Sequence, residues 1–395
     1  MLDLRSHFSR FLKSEPERLH FAAHSHHPWP DVTREAHLQA WDDAARLIDD
    51  KWERVLGPVF EEFRTHVAEQ LNLPDPRTIA VAPNTHEFLK RILSCFPGDG
   101  PIRILTSDSE FHSFSRQIAR LEEGNAVSVT RVATEPFASF EDRFAAAARE
   151  TDADLVFVSQ VFFNSGFAAD VRKLVEAAGE RAMVVIDGYH GFMARPTNLS
   201  SVADRAFYLA GGYKYAMTGE GACFMHCPPD WGPRPRDTGW YAAFGHLTHA
   251  QGSQVGYSSD GWRFMGSTFD PSGLYRFNAV MRWLREEGLT PAIIHAHAKA
   301  LQQQFLQQIA DVQALDEARL VVPPDEMRRG NFLTFETAQA QSLHAELKRQ
   351  HVITDVRGNR LRIGFGLYQT QEEVDELVHR LRHGSAPIAD ATAAE

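Results

Sequence analysis

The sequence predicts an α/β protein, with a mainly parallel sheet in a large domain and a small α+β domain after it. Short apolar runs typical of buried parallel strands recur at 102–106, 127–131, 154–159, 183–187 and 206–210. Amphipathic patterns at about 113–122, 139–149 and 170–180 alternate with them. Such alternation favours right-handed crossovers and helices on both faces of one sheet.

Capping and helix-breaking residues delimit these elements. Asp31 precedes a helical pattern and is predicted to cap it. A second helical pattern runs from about Glu53 to Leu71, and Pro74 stops it. After Ser272, signals for helices and strands lie at about 273–287, 292–313, 319–322, 331–336, 338–350, 351–356, 360–365 and 371–383.

The length of 395 residues allows more than one hydrophobic core. We predict an N-terminal segment (1–50) that packs with the small domain, a large domain (51–275), the small domain (276–383) and a flexible tail (384–395). The proline- and glycine-rich stretch from 228 to 275 has no regular pattern. A loop of that length is usually functional or lies at an interface.

Composition indicates an ordinary globular protein, with 43% hydrophobic and 24% charged residues. A net charge of −11 argues against nucleic acid or an acidic membrane surface as the main partner. The three cysteines, Cys95, Cys223 and Cys227, make no disulfide framework. No apolar run reaches the roughly 18 residues that span a bilayer, and no signal core follows Met1. The sequence therefore predicts a cytoplasmic protein that contacts no membrane.

A carboxylate and an amine lie at the ends of two predicted strands. Asp187 ends the run at 183–187, and Lys214 follows the run at 206–210 after a Gly-Gly turn. Open α/β sheets bind ligands at the carboxyl ends of their strands. A lysine can form a Schiff base with pyridoxal 5'-phosphate (PLP), and a carboxylate can keep its pyridine nitrogen protonated. A solvated lysine and an ordinary strand-end aspartate remain the alternative.

Four motifs in this order resemble the class V aminotransferase group of fold-type-I PLP enzymes. They are Asp187-Gly-Tyr-His190, Tyr213-Lys214-Tyr215, Gly239-Trp240 and Arg362-Ile-Gly-Phe-Gly-Leu-Tyr368. Within that group the chain looks most like the kynureninases, from about residue 20 to 383. The resemblance implies the aspartate aminotransferase-like fold, PLP as cofactor, an amino-acid substrate and a homodimer.

The resemblance also implies roles for residues beside the cofactor. Lys214 would be the Schiff-base lysine, Asp187 the partner of the pyridinium, and His190 a histidine near the ring, although a buried structural histidine is the alternative. Phe111 or His112 would stack on the open face of the cofactor. Asn164 would approach its phenolic oxygen.

The phosphate of the cofactor would bind at a helix N-terminus, where free amides and the helix dipole favour anions. Asn84 and Thr85 open such a helix after a predicted strand, and an ordinary helix cap would use the same residues. Tyr213, Trp240 and Thr268 match further phosphate contacts of the family, some of which come from the partner subunit.

On the substrate side, Arg362 matches the carboxylate-binding arginine of the family, with Arg357 as the competitor. A guanidinium binds a carboxylate through two parallel hydrogen bonds. The chain departs from kynureninase at His24 and Ser25, where that family has Gly-Asn-Ser-Leu-Gly, and at 268–271, where it has Asn-Pro-Pro. We expect His24 and Ser25 to contact a polar substrate and predict no metal site, because no acidic or cysteine ligand accompanies His24, His26 and His27.

Two reactions fit these residues, a kynureninase-like hydrolase or lyase and a class V aminotransferase. A cysteine desulfurase or selenocysteine lyase is less favoured, because those relatives use a loop cysteine and none follows Cys227. A PLP-fold binding protein without catalysis is disfavoured by Lys214, Asp187 and Arg362. The sequence does not identify the substrate, the reaction or the pathway.

Overall fold

The computed structural model describes residues 2–244, 254–310, 312–315, 317–324 and 328–383. The strands are β1 Leu19–His20, β2 Ile79–Ala82, β3 Ile102–Ser107, β4 Val127–Val132, β5 Leu155–Ser159, β6 Met183–Asp187, β7 Ala206–Gly211, β8 Cys223–His226, β9 Arg319–Leu320, β10 Phe332–Glu336, β11 Val352–Ile353, β12 Asp355–Arg357 and β13 Arg360–Gly364. The predicted tail at 384–395 lies outside the described residues.

The helices alternate with the strands along much of the chain. They are α1 Ser9–Ser14, α2 Val32–Leu47, α3 Lys51–Arg54, α4 Phe60–Leu71, α5 Thr85–Leu93, α6 His112–Glu123, α7 Phe140–Thr151, α8 Val171–Ala177, α9 Ser272–Glu286, α10 Pro291–Gln308, α11 Ala340–Arg349 and α12 Gln371–His383. In the described part of the chain, none of these helices is long and apolar enough to cross a membrane.

The central sheet has seven strands in the order β2-β8-β7-β6-β5-β3-β4. Strands β3 to β7 pair in parallel, and β8 pairs antiparallel with both β7 and β2. The prediction of an α/β fold with a mainly parallel sheet is confirmed, and the five predicted strands agree with β3 to β7 within one residue at each end. Strands β5, β6 and β7 are buried along their whole length, which explains why they read as continuous apolar runs.

A second, antiparallel sheet has the order β12-β13-β10-β9, and β1 pairs in parallel with β11 beside it. One hydrophobic cluster surrounds the central sheet, and another joins Leu19 and Phe21 of the N-terminal segment to Leu333 and Phe365. The domain boundaries drawn from the sequence stay predictions.

Two local expectations are wrong. The single helix predicted from about Glu53 to Leu71 is broken at Gly57, whose φ of −92° and ψ of −111° are not helical, and Pro58 has no N–H to continue it. Asp31 precedes α2 but does not cap it with its side chain. Its carboxylate instead accepts the amides of Ser9 and Arg10, so it caps α1 from 22 positions away.

Candidate active site

A cavity of about 330 Å³ opens at the carboxyl ends of β5 and β6, between the start of α5 and the loop after β7. Its wall is formed by Asn84, Thr85, His86, Phe111, Ser113, Ser159, Val161, Phe163, Asp187, Tyr189, His190, Tyr213 and Lys214. The sheet register brings the strand ends together, because Ser159 of β5 pairs with Asp187 of β6 and Asp187 pairs with Leu209 of β7. This is the edge at which parallel α/β sheets bind ligands.

Lys214 reaches into this cavity from the turn that follows β7. Gly211 ends β7 just before that turn, and a Cβ there would lie 2.0 Å from the hydroxyl of Tyr189, so the close approach favours glycine. The amine of Lys214 lies 5.2 Å from the ring centre of Tyr189 and 5.4 Å from that of Phe111. Burial lowers the pKa of Lys214 to about 7, an effect that Asp187 opposes. The amine is therefore largely neutral just above neutral pH.

Asp187 is the last residue of β6 and is buried beside the same cavity. Its Oδ1 accepts the backbone N–H of Tyr189 at 3.0 Å. Burial raises the pKa of Asp187, and the Tyr189 hydrogen bond and the charge of Lys214 act in the opposite direction. A cation bound against this carboxylate would compensate the buried charge.

His190 follows Asp187 by three residues and has its Nε2 2.6 Å from the Nζ of Lys214. Burial lowers the pKa of His190 well below its usual range, and the charge of Lys214 adds to that effect. When the lysine donates to Nε2, the ring proton lies on Nδ1, which is buried and has no hydrogen-bond partner among the described residues. His190 is thus a neutral imidazole that can accept a hydrogen bond from Lys214.

The N-terminus of α5 closes another side of the cavity. Asn84 caps the helix, because its Oδ1 accepts the amide of Glu87 at 3.2 Å. The amides of Thr85 and His86 belong to the first turn, which a helix leaves without internal partners. Both residues line the cavity, so these amides and the helix dipole can bind an anion there.

These residues fit PLP. The cofactor needs an anion site for its phosphate, a carboxylate for its ring nitrogen and an amine for its aldehyde, and one cavity holds the α5 N-terminus, Asp187 and Lys214. The unpartnered Nδ1 of His190 leaves a donor for a further group. Phe111 contributes an aromatic face on the side of Lys214.

Other predicted residues lie outside this cavity. His112 and Asn164 line a neighbouring, more open cavity of about 410 Å³, together with Arg357. Trp240 is 46% exposed and packs on Tyr241, with ring centres 4.0 Å apart. Trp240 and Thr268 do not line the cavity around Lys214, and their contribution to the site of a second subunit stays a prediction.

On the substrate side, Arg362 and His24 are both buried. The two ring nitrogens of His24 have no hydrogen-bond partner among the described residues, and its ring stacks on Phe332 with centres 4.6 Å apart. Ser25 is turned away, with its hydroxyl 3.4 Å from the Nδ1 of the exposed His26. Among the described residues, no group of three or more metal-ligating side chains is assembled.

Sequence reasoning missed Glu110 and Asp355. Glu110 is buried behind the cavity, where its carboxylate accepts the hydroxyls of Ser107 at 2.5 Å and Ser159 at 2.6 Å. Burial raises the pKa of Glu110 to about 7 despite these hydrogen bonds, and the nearby Asp187 adds to the effect. Its position just after the end of a predicted strand is the signal that could have found it.

The fold and the cavity together define a PLP-dependent enzyme of fold type I. The chain belongs to the aminotransferase class-V family, whose family model matches residues 56–377. PLP is the cofactor of this family, and the residues that line the cavity around Lys214 fit PLP.

Curated relatives carry two different activities in their names. A probable cysteine desulfurase of Vibrio cholerae is 25% identical over 352 residues, which is 81% of this chain and 81% of that protein. A kynureninase of Geobacillus thermodenitrificans is 25% identical over 373 residues, which is 87% of this chain and 82% of that protein. These similarities support the family and leave the reaction open.

Solved structures share the fold across nearly the whole chain. The cysteine desulfurase of Thermococcus onnurineus has a TM-score of 0.79 at 17% identity and covers 93% of this chain and 94% of its own. A C-DES mutant with glycine covalently linked to the PLP cofactor has a TM-score of 0.80 at 14% identity, covering 97% and 100%. At these identities the likeness establishes the fold.

The lowered pKa of Lys214 predicts how the protein without cofactor takes up PLP. Only the neutral amine attacks an aldehyde, so the loading rate should rise with pH through about 7 and level off above it. An amine with pKa near 7 is roughly tenfold more neutral at pH 8 than at pH 6, whereas an ordinary lysine would keep gaining up to about pH 10. Stopped-flow absorbance on mixing with PLP measures this. A rate still rising steeply above pH 9 would contradict it.

Proposed function

We propose that the protein is a kynureninase-like PLP hydrolase or lyase, which cleaves a bond at Cβ of an amino-acid substrate. The observation that carries the proposal is the shared cavity of Lys214 and Asp187, with His190 2.6 Å from the lysine amine. When bound there, PLP supplies an electron sink conjugated to the α-carbon of the substrate.

Lys214, His190 and Asp187 have different roles in this reaction. Lys214, neutral just above pH 7, takes the proton from the α-carbon and returns it, because it is the amine that faces the cofactor position. His190 holds the amine in place by accepting a hydrogen bond from it at Nε2. Asp187 would keep the ring nitrogen of the cofactor protonated, and the amides at the start of α5 would hold its phosphate.

Phe111 and Arg362 orient the two ligands. Phe111 lies 5.4 Å from the amine of Lys214, whereas His112 lines the neighbouring cavity, which supports Phe111 as the ring that stacks on the cofactor. Arg362 is proposed to bind the substrate carboxylate, with His24 beside it as a polar contact. Asn164 and His112 line the neighbouring cavity, which shares Phe163 with the cavity of Lys214.

The thiols favour this proposal over desulfuration with a protein-bound persulfide. A sulfur-accepting cysteine must be an accessible thiolate. Cys223 and Cys227 are buried and Cys95 is half-buried, and burial raises the pKa of each. The names of the Vibrio and Thermococcus relatives keep sulfur chemistry as a candidate to be tested.

The test is to add L-kynurenine to the PLP-loaded enzyme and to follow the fluorescence of anthranilate. We expect product from the native enzyme and none from Lys214→Ala, because the α-proton is then not transferred. L-Cysteine is offered in parallel, with sulfide and alanine as readouts, and an amino donor with a keto acid tests transamination. Sulfide or a transamination product without anthranilate would contradict the proposal. Light scattering in the same preparation tests the proposed homodimer.

A further inference from the structure

A buried carboxylate lies between two arginines beside the proposed substrate site. Asp355 of β12 and Arg362 of β13 are directly opposite each other in the antiparallel pair. Arg362 donates from Nη2 to Oδ2 of Asp355 and from Nη1 to the carbonyl of Phe163 at 2.5 Å. The Nη1 of Arg357 lies 3.0 Å from the other oxygen, Oδ1. Asp355 thus bridges two guanidiniums.

This cluster keeps one positive charge and one donor in excess. Arg362 is 3% exposed and Asp355 8%, so both charges lie out of water. The Nε of Arg362 is buried and has no partner among the described residues. His24 adds no charge, although its Nε2 is 3.8 Å from Asp355, because burial and the charge of Arg362 lower its pKa well below its usual range. The buried Arg362 pairs with Asp355, and the half-exposed Arg357 leaves the cluster with one net positive charge, which a single carboxylate would neutralise.

We propose that Asp355 sets the charge selectivity of this subsite, so that it accepts a ligand with one carboxylate and discriminates against a second. The proposal rests on the assignment of Arg362 to the substrate carboxylate. With Asp355 in place, two guanidiniums and one aspartate are neutralised by a single ligand carboxylate. A ligand with two carboxylates at this point would leave an unpaired negative charge in the low-dielectric interior.

A purely structural role for Asp355 predicts a different pattern. Cross-strand ion pairs also stabilise sheets, and loss of either partner would then disturb Arg362 and weaken binding. Charge selectivity predicts that removing the aspartate charge strengthens anion binding. Removing an arginine charge as well should return the affinity to its native value. The double variant therefore separates the two roles.

The experiment is calorimetric titration of the PLP-loaded enzyme, at one pH, with 3-phenylpropanoate and with glutarate. Neither probe has an amino group, so binding is measured without turnover. Asp355→Asn keeps an oxygen that can accept a hydrogen bond from Arg362. It should raise the affinity for 3-phenylpropanoate roughly tenfold and that for glutarate by more, because a charge within about 4–6 Å shifts such equilibria by that order. Arg357→Gln should lower the affinity for both probes by a similar factor. In the double variant both affinities should be close to the native values.

Asp152→Asn is the matched control, because Asp152 also bridges two arginines, Arg103 and Arg181, before the amino end of β5. It should leave both affinities unchanged.

Unchanged affinities in Asp355→Asn, or a double variant weaker than Arg357→Gln alone, would overturn the inference. Arg357 is half-exposed, so its variant tests the charge argument even where Asp355→Asn does not fold. If the native enzyme binds neither probe, Arg362 is not part of the substrate site and the inference is wrong. Intact probe binding without anthranilate counts only against the proposed reaction.

Discussion

Lys214→Ala is expected to abolish covalent attachment of the cofactor and to lower turnover by about three orders of magnitude or more, the scale on which loss of a catalytic nucleophile acts. Lys214 is 5% exposed, and its Nζ lies 2.6 Å from Nε2 of His190. Alanine leaves space but no group that can exchange a proton with the α-carbon of the substrate.

The measurement is borohydride reduction of the PLP-loaded protein, followed by mass spectrometry of the peptide that contains residue 214. Native protein should carry one reduced cofactor on Lys214. The exposed Lys348 gives a control, because Lys348→Ala removes an amine from the outer face of α11 and should leave labelling and turnover intact. Equal labelling of Lys214→Ala and native protein would refute the assignment.

Asp187→Asn is expected to lower turnover by roughly two orders of magnitude or more, about 3 kcal/mol of transition-state stabilisation. Asparagine keeps an oxygen that can accept the amide of Tyr189, so the local turn is preserved. What it removes is the negative charge that holds a ring nitrogen in its protonated, electron-withdrawing form. The loss should therefore appear in the chemical step more than in folding.

Single-turnover kinetics and thermal unfolding, measured on the same preparations, separate these two effects. Asp43→Asn is the control, because Asp43 is also a buried aspartate but pairs with Arg54 and Tyr275 around α2. We expect Asp43→Asn to lower the unfolding temperature with little change in the chemical step. If Asp187→Asn behaved in the same way, Asp187 would be a structural residue and not the partner of the cofactor.

The features that could be predicted from the sequence are those that depend on local pattern. Asp187 and Lys214 stand out because each follows a continuous apolar run, and buried parallel strands end where ligands bind. Asn84 could be predicted as a cap in the same way, since cap preference is a property of a few neighbouring residues. The structure brings all three to one cavity.

The features that could not be predicted depend on contacts between distant segments. Asp355 and Arg362 meet through strand register, and Arg362 also bonds the carbonyl of Phe163, 199 positions away. Trp240 could be singled out from its motif, but the structure shows that its exposed side chain lies outside the cavity of its own chain. Spacing in a sequence carries little information about which of two adjacent residues, such as Phe111 and His112, turns inward.

The pairing of β1 with β11 bears on the order in which the protein matures. His20 bonds Tyr368, 348 positions away, and the amide of Gly364 donates to the carbonyl of Phe21 at 2.7 Å. Contacts of such sequence separation form late, because closing a long loop costs entropy before any contact repays it. The residues that line the pocket of Asp187 and Lys214 all precede residue 215, so they leave the ribosome before residues 352–364, on which the segment that holds His24 docks. We therefore expect a nascent chain to capture its cofactor before it gains the ability to hold a substrate.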